Sequence, residues 1–339
     1  MQTFQPGDRI SLFGFSRGAY TARVLSGFLQ KIGLLPRENH AQIPFAWKIF
    51  KSSDCNGGLG KCSDYKKTFS FTKIEVDFLG LWGTVASVGI AGKELPFATV
   101  SVDRGLRIFR QALALDECRV KFTPNFKLTK AGTPSELKVE GADARETLEK
   151  EAGGEDAPNG PYRGTTYSPR LLHENPVREV WFAGCHSDVG GGSVPHSTRN
   201  SLSRIPLRRM ESLADIGFGT VPFTNEQLFR RDQQNVPVAV NEKEEQLEDA
   251  RSPIVDQLFK WYWWIPELFP VALRQQNSRD GQRSKYKRQI NLGRGRKIYG
   301  DAWDFVEHNG EKQWYIQIHR SVQERMNLRE HTGYVSKDL

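Results

Sequence analysis

Arg9-Ile10-Ser11-Leu12-Phe13-Gly14-Phe15-Ser16-Arg17-Gly18-Ala19-Tyr20-Thr21-Ala22-Arg23 is the stretch on which the reading turns. Its first seven residues form a short, mostly apolar run of the kind a buried strand carries. The run breaks at Ser16-Arg17-Gly18. From Ala19 apolar residues recur at spacings of three and four (Ala22, Val24, Leu25, Phe28, Leu29, Ile32), which is the period of a helix. Gly33 and then Pro36 end that helix. A strand, a sharp turn at Gly14-Phe15-Ser16-Arg17-Gly18 and a helix are the mechanical parts of a nucleophile elbow. Ser16 then presents its hydroxyl at the helix N-terminus, where backbone N–H groups, notably that of Arg17, and the helix dipole favour a developing oxyanion. Gly14 and Gly18 are expected to let strand and helix approach without a Cβ clash. The five residues alone are also compatible with a plain strand–helix turn.

Outward from the elbow, residues 40–50 read as a second helix and 51–67, rich in Gly, Ser, Lys and Asp, as a surface loop. Residues 74–82 and 177–183 read as core strands, and 106–115 carries helical spacing. Little in 141–169 can be buried, and 225–251 is polar and weakly periodic, so both are expected to leave the core. Strands alternating with helices predict an α/β fold with a mainly parallel sheet and chemistry at the strand C-termini. One domain over 1–339 is expected, with 1–135 and 170–225 as core, 136–169 and 226–252 as insertions and 253–339 as an aromatic-rich C-terminal part. In that part Leu258-Phe259-Lys260-Trp261-Tyr262-Trp263-Trp264-Ile265-Pro266-Glu267-Leu268-Phe269 is expected to pack in the core; docking at a lipid interface is the alternative.

A serine nucleophile needs a base near neutral pKa. Of seven histidines, His186 follows a strand and opens Gly184-Cys185-His186-Ser187-Asp188-Val189-Gly190-Gly191-Gly192, which makes it the first candidate. His319 is the second, and the remaining five fall in helix or loop settings. The acid that orients the base should end a strand between Ser16 and His186. The strand ending at Trp82 is well placed, but Gly83 follows it; Asp77, Asp116 and Asp188 are each less well positioned. Asp188 either pairs with Ser16 or His186, or fixes the Gly190–Gly192 turn by accepting loop N–H groups.

A net charge of +8 on 339 residues and a pI near 9.3 come from scattered basic residues, which reads as a solvated surface rather than a nucleic-acid stripe. No apolar run approaches a membrane span, and the N-terminus carries no secretory signal, so an intracellular protein is expected. Cys55, Cys62, Cys118 and Cys185 have neither disulfide-framework nor zinc spacing, and no metal or cofactor is expected.

Gly14-Phe15-Ser16-Arg17-Gly18-Ala19-Tyr20-Thr21-Ala22-Arg23 also resembles the signature of the α/β-hydrolase family of type VI secretion phospholipase effector catalytic domains, which has uncharacterised fungal and bacterial members. The likeness continues through Gly33-Leu34-Leu35-Pro36, Phe78-Leu79-Gly80-Leu81-Trp82, Ala112-Leu113-Ala114-Leu115-Asp116-Glu117 and Val180-Trp181-Phe182-Ala183-Gly184. Further on it takes in the His186 to Gly192 loop, Leu202 to Arg208 and Asn291 to Arg296. It implies an α/β-hydrolase-like, mainly parallel sheet flanked by helices with long loop insertions, Ser16 as nucleophile and His186 as base. It further implies a carboxylic ester or phospholipid substrate, peripheral membrane contact and no nucleic-acid partner. Two departures stand out. The family pattern Trp-Asp-Thr-Val, which supplies the acid, reads Trp82-Gly83-Thr84-Val85 here. Family members also carry an Asp-Gly-Thr strand before the elbow, which here arrives at residue 16, so a sheet incomplete at its N-terminus is expected. The alternative to an ester hydrolase is an inactive remnant that binds a partner.

Overall fold

A computed structural model of the chain describes residues 2–53, 58–85, 87–88, 93–94, 106–122, 124–125, 177–210, 242–269, 271–275, 285–290, 292–293, 304–308, 311–315 and 317–327. Its centre is a parallel sheet of four strands, β1 (Ile10–Phe15), β2 (Val76–Trp82), β5 (Leu106–Ala114) and β6 (Val177–Phe182), lying side by side in that order. Short hairpins pair β3 (Ser87–Val88) with β4 (Lys93–Glu94), β7 (Val271–Gln275) with β8 (Lys285–Gln289) and β9 (Asp304–His308) with β10 (Glu311–Tyr315). The fold is α/β.

Side chains alternate across a strand, so each face of the sheet can be assigned a cover. Helix α1 (Arg17–Ile32) lays Ala19 and Ala22 on Leu79, Leu81 and Phe109. On the other face Phe78, Ile108 and Ala112 meet Val189, Leu202, Ile205, Met210 and Ala250. Helices α2 (Ile43–Lys51) and α3 (Gly58–Phe69) pack Ala46, Phe50, Cys62 and Tyr65 against Val24 and Ile32 of α1. The first helix ends as expected at Gly33, which donates a last N–H to the Leu29 carbonyl and then turns the chain away with a φ of 82°.

Four expectations are corrected. Residues 106–115 are strand rather than helix: β5 lies between β2 and β6 and is covered on both faces, so its apolar residues lose the alternation that marks a half-exposed strand. Residues 58–69, expected within a loop, are helical because Cys62 and Tyr65, three apart, find an apolar seat under α1 and α2. The polar stretch 226–252 ends in α5 (Glu242–Arg251), where Ala250 joins the core. There the fully buried Asp249 accepts a 2.6 Å hydrogen bond from Arg208 and lies 3.9 Å from Arg204, so these two basic residues face a buried carboxylate. Last, the aromatic stretch 258–269 is largely on the surface, with Phe259 91% and Trp261 76% exposed. Residues 136–169 and Cys55 lie outside the described residues.

Candidate active site

The elbow forms where β1 meets α1. Ser16 adopts φ 58° and ψ −120°, a conformation that a side chain with a Cβ disfavours. Neighbouring backbone holds it there. The Ser16 N–H donates to the Trp82 carbonyl at 2.9 Å, while its carbonyl accepts from Tyr20 and Val85, each at 3.3 Å. Gly14 makes the turn possible: a Cβ there would lie 2.5 Å from the Gly18 carbonyl oxygen and 2.7 Å from the Ala19 Cα. The second glycine has no such duty, since a Cβ on Gly18 would meet nothing within 4 Å. Ser16 is half-buried and Arg17 exposed, at the first position of α1.

The end of β2 lies beside it. Gly83 has φ 49° and donates its N–H to the Ala112 carbonyl at 2.8 Å. A Cβ built on Gly83 would sit 2.8 Å from His186 Nδ1 and 2.9 Å from Cε1. The imidazole thus occupies the space that any side chain at 83 would need. His186 opens the single turn α4 (His186–Gly190) after β6 and is buried. Its ring lies 4.7 Å from Phe15, the residue before Ser16, and 4.9 Å from Phe122. Ser16 is bonded to Trp82 and Val85, and His186 packs on Gly83 and Phe15, so the C-terminal ends of three neighbouring segments converge on one corner.

Asp188 is buried and bonds to backbone outside the Gly190–Gly192 turn. Its Oδ2 accepts from the Cys185 N–H at 2.9 Å and the Val255 N–H at 3.1 Å, and it closes a capping box with Cys185. Burial raises its pKa, opposed by hydrogen bonds from Cys185, Ser193 and Val255. The Cys185 thiol donates to the Asp116 carbonyl at 3.2 Å, and burial followed by the charges of Glu117 and Asp188 pushes its pKa up. His319 is also accounted for. It stacks on Phe182 with ring centroids 4.8 Å apart and shares a 2.9 Å hydrogen bond between Nδ1 and Ser321. Burial, then Arg209, Arg320 and Arg208, push its pKa down to about 3, so it stays neutral in the fold. His40 is exposed beside Gln2, and His196 is exposed.

Three charged residues stand behind the histidine: Asp116, weighed in the sequence only as a candidate acid, and Glu117 and Arg119, given no role there. Asp116 Oδ2 accepts the Gly184 N–H at 2.7 Å. Glu117, 1% exposed, accepts the His186 N–H at 3.1 Å and binds Arg119 through Nε at 2.8 Å and a terminal nitrogen at 2.7 Å. Arg119, itself buried, has its guanidinium 3.6 Å from the Phe122 ring and 4.6 Å from that of Trp263. The signal was there: Asp116-Glu117-Cys118-Arg119 puts charge directly after a strand with no exposed face. Beside the elbow an apolar groove of about 340 Å³ is lined by Phe13, Phe15, Trp82, Val189 and Leu207 among others. Among the described residues no three His, Cys, Asp or Glu side chains are placed to hold a metal ion.

Residues 1–212 match the family model of the type VI secretion system phospholipase effector Tle1-like catalytic domain. The chain belongs to that family. It is also 24% identical to the uncharacterized protein YEL023C of Saccharomyces cerevisiae, in an alignment that takes in 100% of this chain and 69% of the yeast protein. No solved structure matches it.

Proposed function

We propose that this family member is a serine hydrolase of carboxylic esters, lipid esters above all, built as an α/β-hydrolase with a weakened catalytic corner. The observation that carries the reading is the strained Ser16 backbone at a strand–helix joint, with His186 packed on the same corner. Strain at a non-glycine residue persists only where surrounding packing imposes it, and it gathers at working sites. In the reaction Ser16 Oγ attacks the ester carbonyl while its proton passes to His186. The Arg17 N–H at the start of α1 helps hold the oxyanion. The alcohol leaves with the proton from His186, and water, deprotonated by the same ring, then releases the acid and regenerates Ser16. The apolar groove beside Phe15 suits an acyl chain, and the family's description as phospholipase effectors favours a phospholipid.

The corner lacks an orienting carboxylate at position 83. Neutralising that group in a serine protease costs about 10⁴ in turnover, and a comparable handicap is expected here. A second reading, an inert remnant of the fold, is favoured by one observation: His186 fills the space beside Gly83.

Labelling by a fluorophosphonate probe separates the two. Wild type should label slowly, Ser16→Ala not at all, and Gly83→Asp faster, since Asp tolerates a left-handed φ and, with the His186 ring turned aside from the new Cβ, supplies the carboxylate. Absence of labelling in both wild type and Gly83→Asp, with the fold verified by circular dichroism, establishes the inert remnant.

A further inference from the structure

The surface stretch after Asp256 is unusual for its exposure and for how firmly it is held. Two 3₁₀ turns (Gln257–Phe259 and Trp261–Trp263) lead into α6 (Trp264–Glu267). Phe259, Trp261, Tyr262, Trp264, Ile265, Leu268 and Phe269 are all exposed. So many large apolar groups in one patch is beyond what a protein surface carries without a use. The stretch is nevertheless pinned from beneath. Leu258 is buried, Trp264 Nε1 donates to the Leu258 carbonyl at 2.9 Å, and Glu267, 1% exposed, accepts from the Val120 N–H at 2.7 Å and the Gly293 N–H at 3.2 Å. The apolar groups are therefore presented rather than loosely hung.

Charge and position say what covers them. Glu267, the one acid between 257 and 269, faces inward, and the adjoining Asp256 carboxylate is engaged by the Leu258 N–H at 2.8 Å. Lys260 points to solvent within the patch, on a chain of net charge +8. Trp and Tyr with a cation and no outward carboxylate suit the headgroup–acyl boundary of an anionic bilayer. The patch also adjoins the catalytic corner. Trp263 meets Phe122 at 5.4 Å between ring centroids, and Phe122 meets His186 at 4.9 Å.

We propose that residues 259–269 dock the protein on an anionic phospholipid bilayer, Lys260 among the phosphates and Phe259, Trp261, Leu268 and Phe269 in the acyl region, so that a lipid leaves the interface beside His186. The choice of a membrane as occupant rests on the lipid-ester reading; the surface itself does not.

The test is flotation of the full chain carrying Ser16→Ala with vesicles of phosphatidylcholine, with and without phosphatidylserine. Binding is expected, stronger with phosphatidylserine. Trp261→Ser combined with Leu268→Ser should weaken it at least about tenfold, from the apolar area lost, while Leu59→Ser, an equally exposed apolar residue on α3, should leave it unchanged. Equal binding by the double variant, or no binding to either vesicle, overturns the proposal. So does a wild-type dimer in sedimentation velocity that the double variant dissolves, since a second copy would then be the occupant. Vesicle binding without probe labelling would remove the hydrolase reading and leave the docking surface standing.

Discussion

Gly14, next to the last residue of β1, and Gly83, just after β2, abut the same corner, yet they are glycine for opposite reasons. A Cβ on Gly14 would strike backbone, the Gly18 carbonyl oxygen at 2.5 Å and the Ala19 Cα at 2.7 Å. A Cβ on Gly83 would strike only the rim of the His186 ring, at 2.8 and 2.9 Å. Backbone in a helix that packs on the sheet cannot retreat, whereas a ring can turn about χ1. The first glycine is demanded by the architecture of the elbow. The second is a place where a side chain could stand only if the His186 ring turned aside. Packing alone therefore requires a glycine at position 14, whereas at position 83 the demand comes from one movable ring.

Alanine at each position breaks or sharpens this contrast. Gly14→Ala should cost about 3 kcal/mol or more, as forced overpacking against immovable atoms does, and thermal or urea unfolding will show a large fall or no folded protein. A loss of less than half that would mean the elbow can open. Gly83→Ala carries a left-handed φ and a movable contact, so about 1–2 kcal/mol is expected by the same measurement; a loss as large as at Gly14 would mean that Phe15 and Phe122 lock the ring. The smallest effect has the opposite sign. Ser16→Gly relieves a strained φ of 58° and should stabilise by roughly 1 kcal/mol, the low end of what such strain stores. An unchanged or lower midpoint would show that Ser16 is not strained.

The elbow was legible because its parts are contiguous: an apolar run, a break and a 3.6-residue period follow one another within residues 9–33. The strands at 76–82 and 177–182 were legible for the same reason. The strand 106–114 was misread, since burial on both faces erases the period that distinguishes strand from helix. The helix 58–69 was missed because only Cys62 and Tyr65 mark its inner face. In the aromatic stretch, hydrophobicity alone could not say whether the partner is this protein's own core or something outside it. The carboxylates behind His186 were visible as residues but not as supports, because Glu117 meets the His186 N–H across 69 positions of chain.

Sequence by itself determined that Ser16 sits on a turn between strand and helix, that His186 opens a loop after a strand, and that position 83 has no carboxylate. Each of these depends on neighbours in the chain or on the bare identity of a residue. Only the tertiary structure decided that Asp188 serves the backbone of its own turn and that Glu117 and Arg119 brace the histidine. It also decided that the tryptophans face outward. Those outcomes depend on which distant groups meet in the sheet's two flanking layers, and a buried polar group takes whichever partner the packing brings within hydrogen-bond reach.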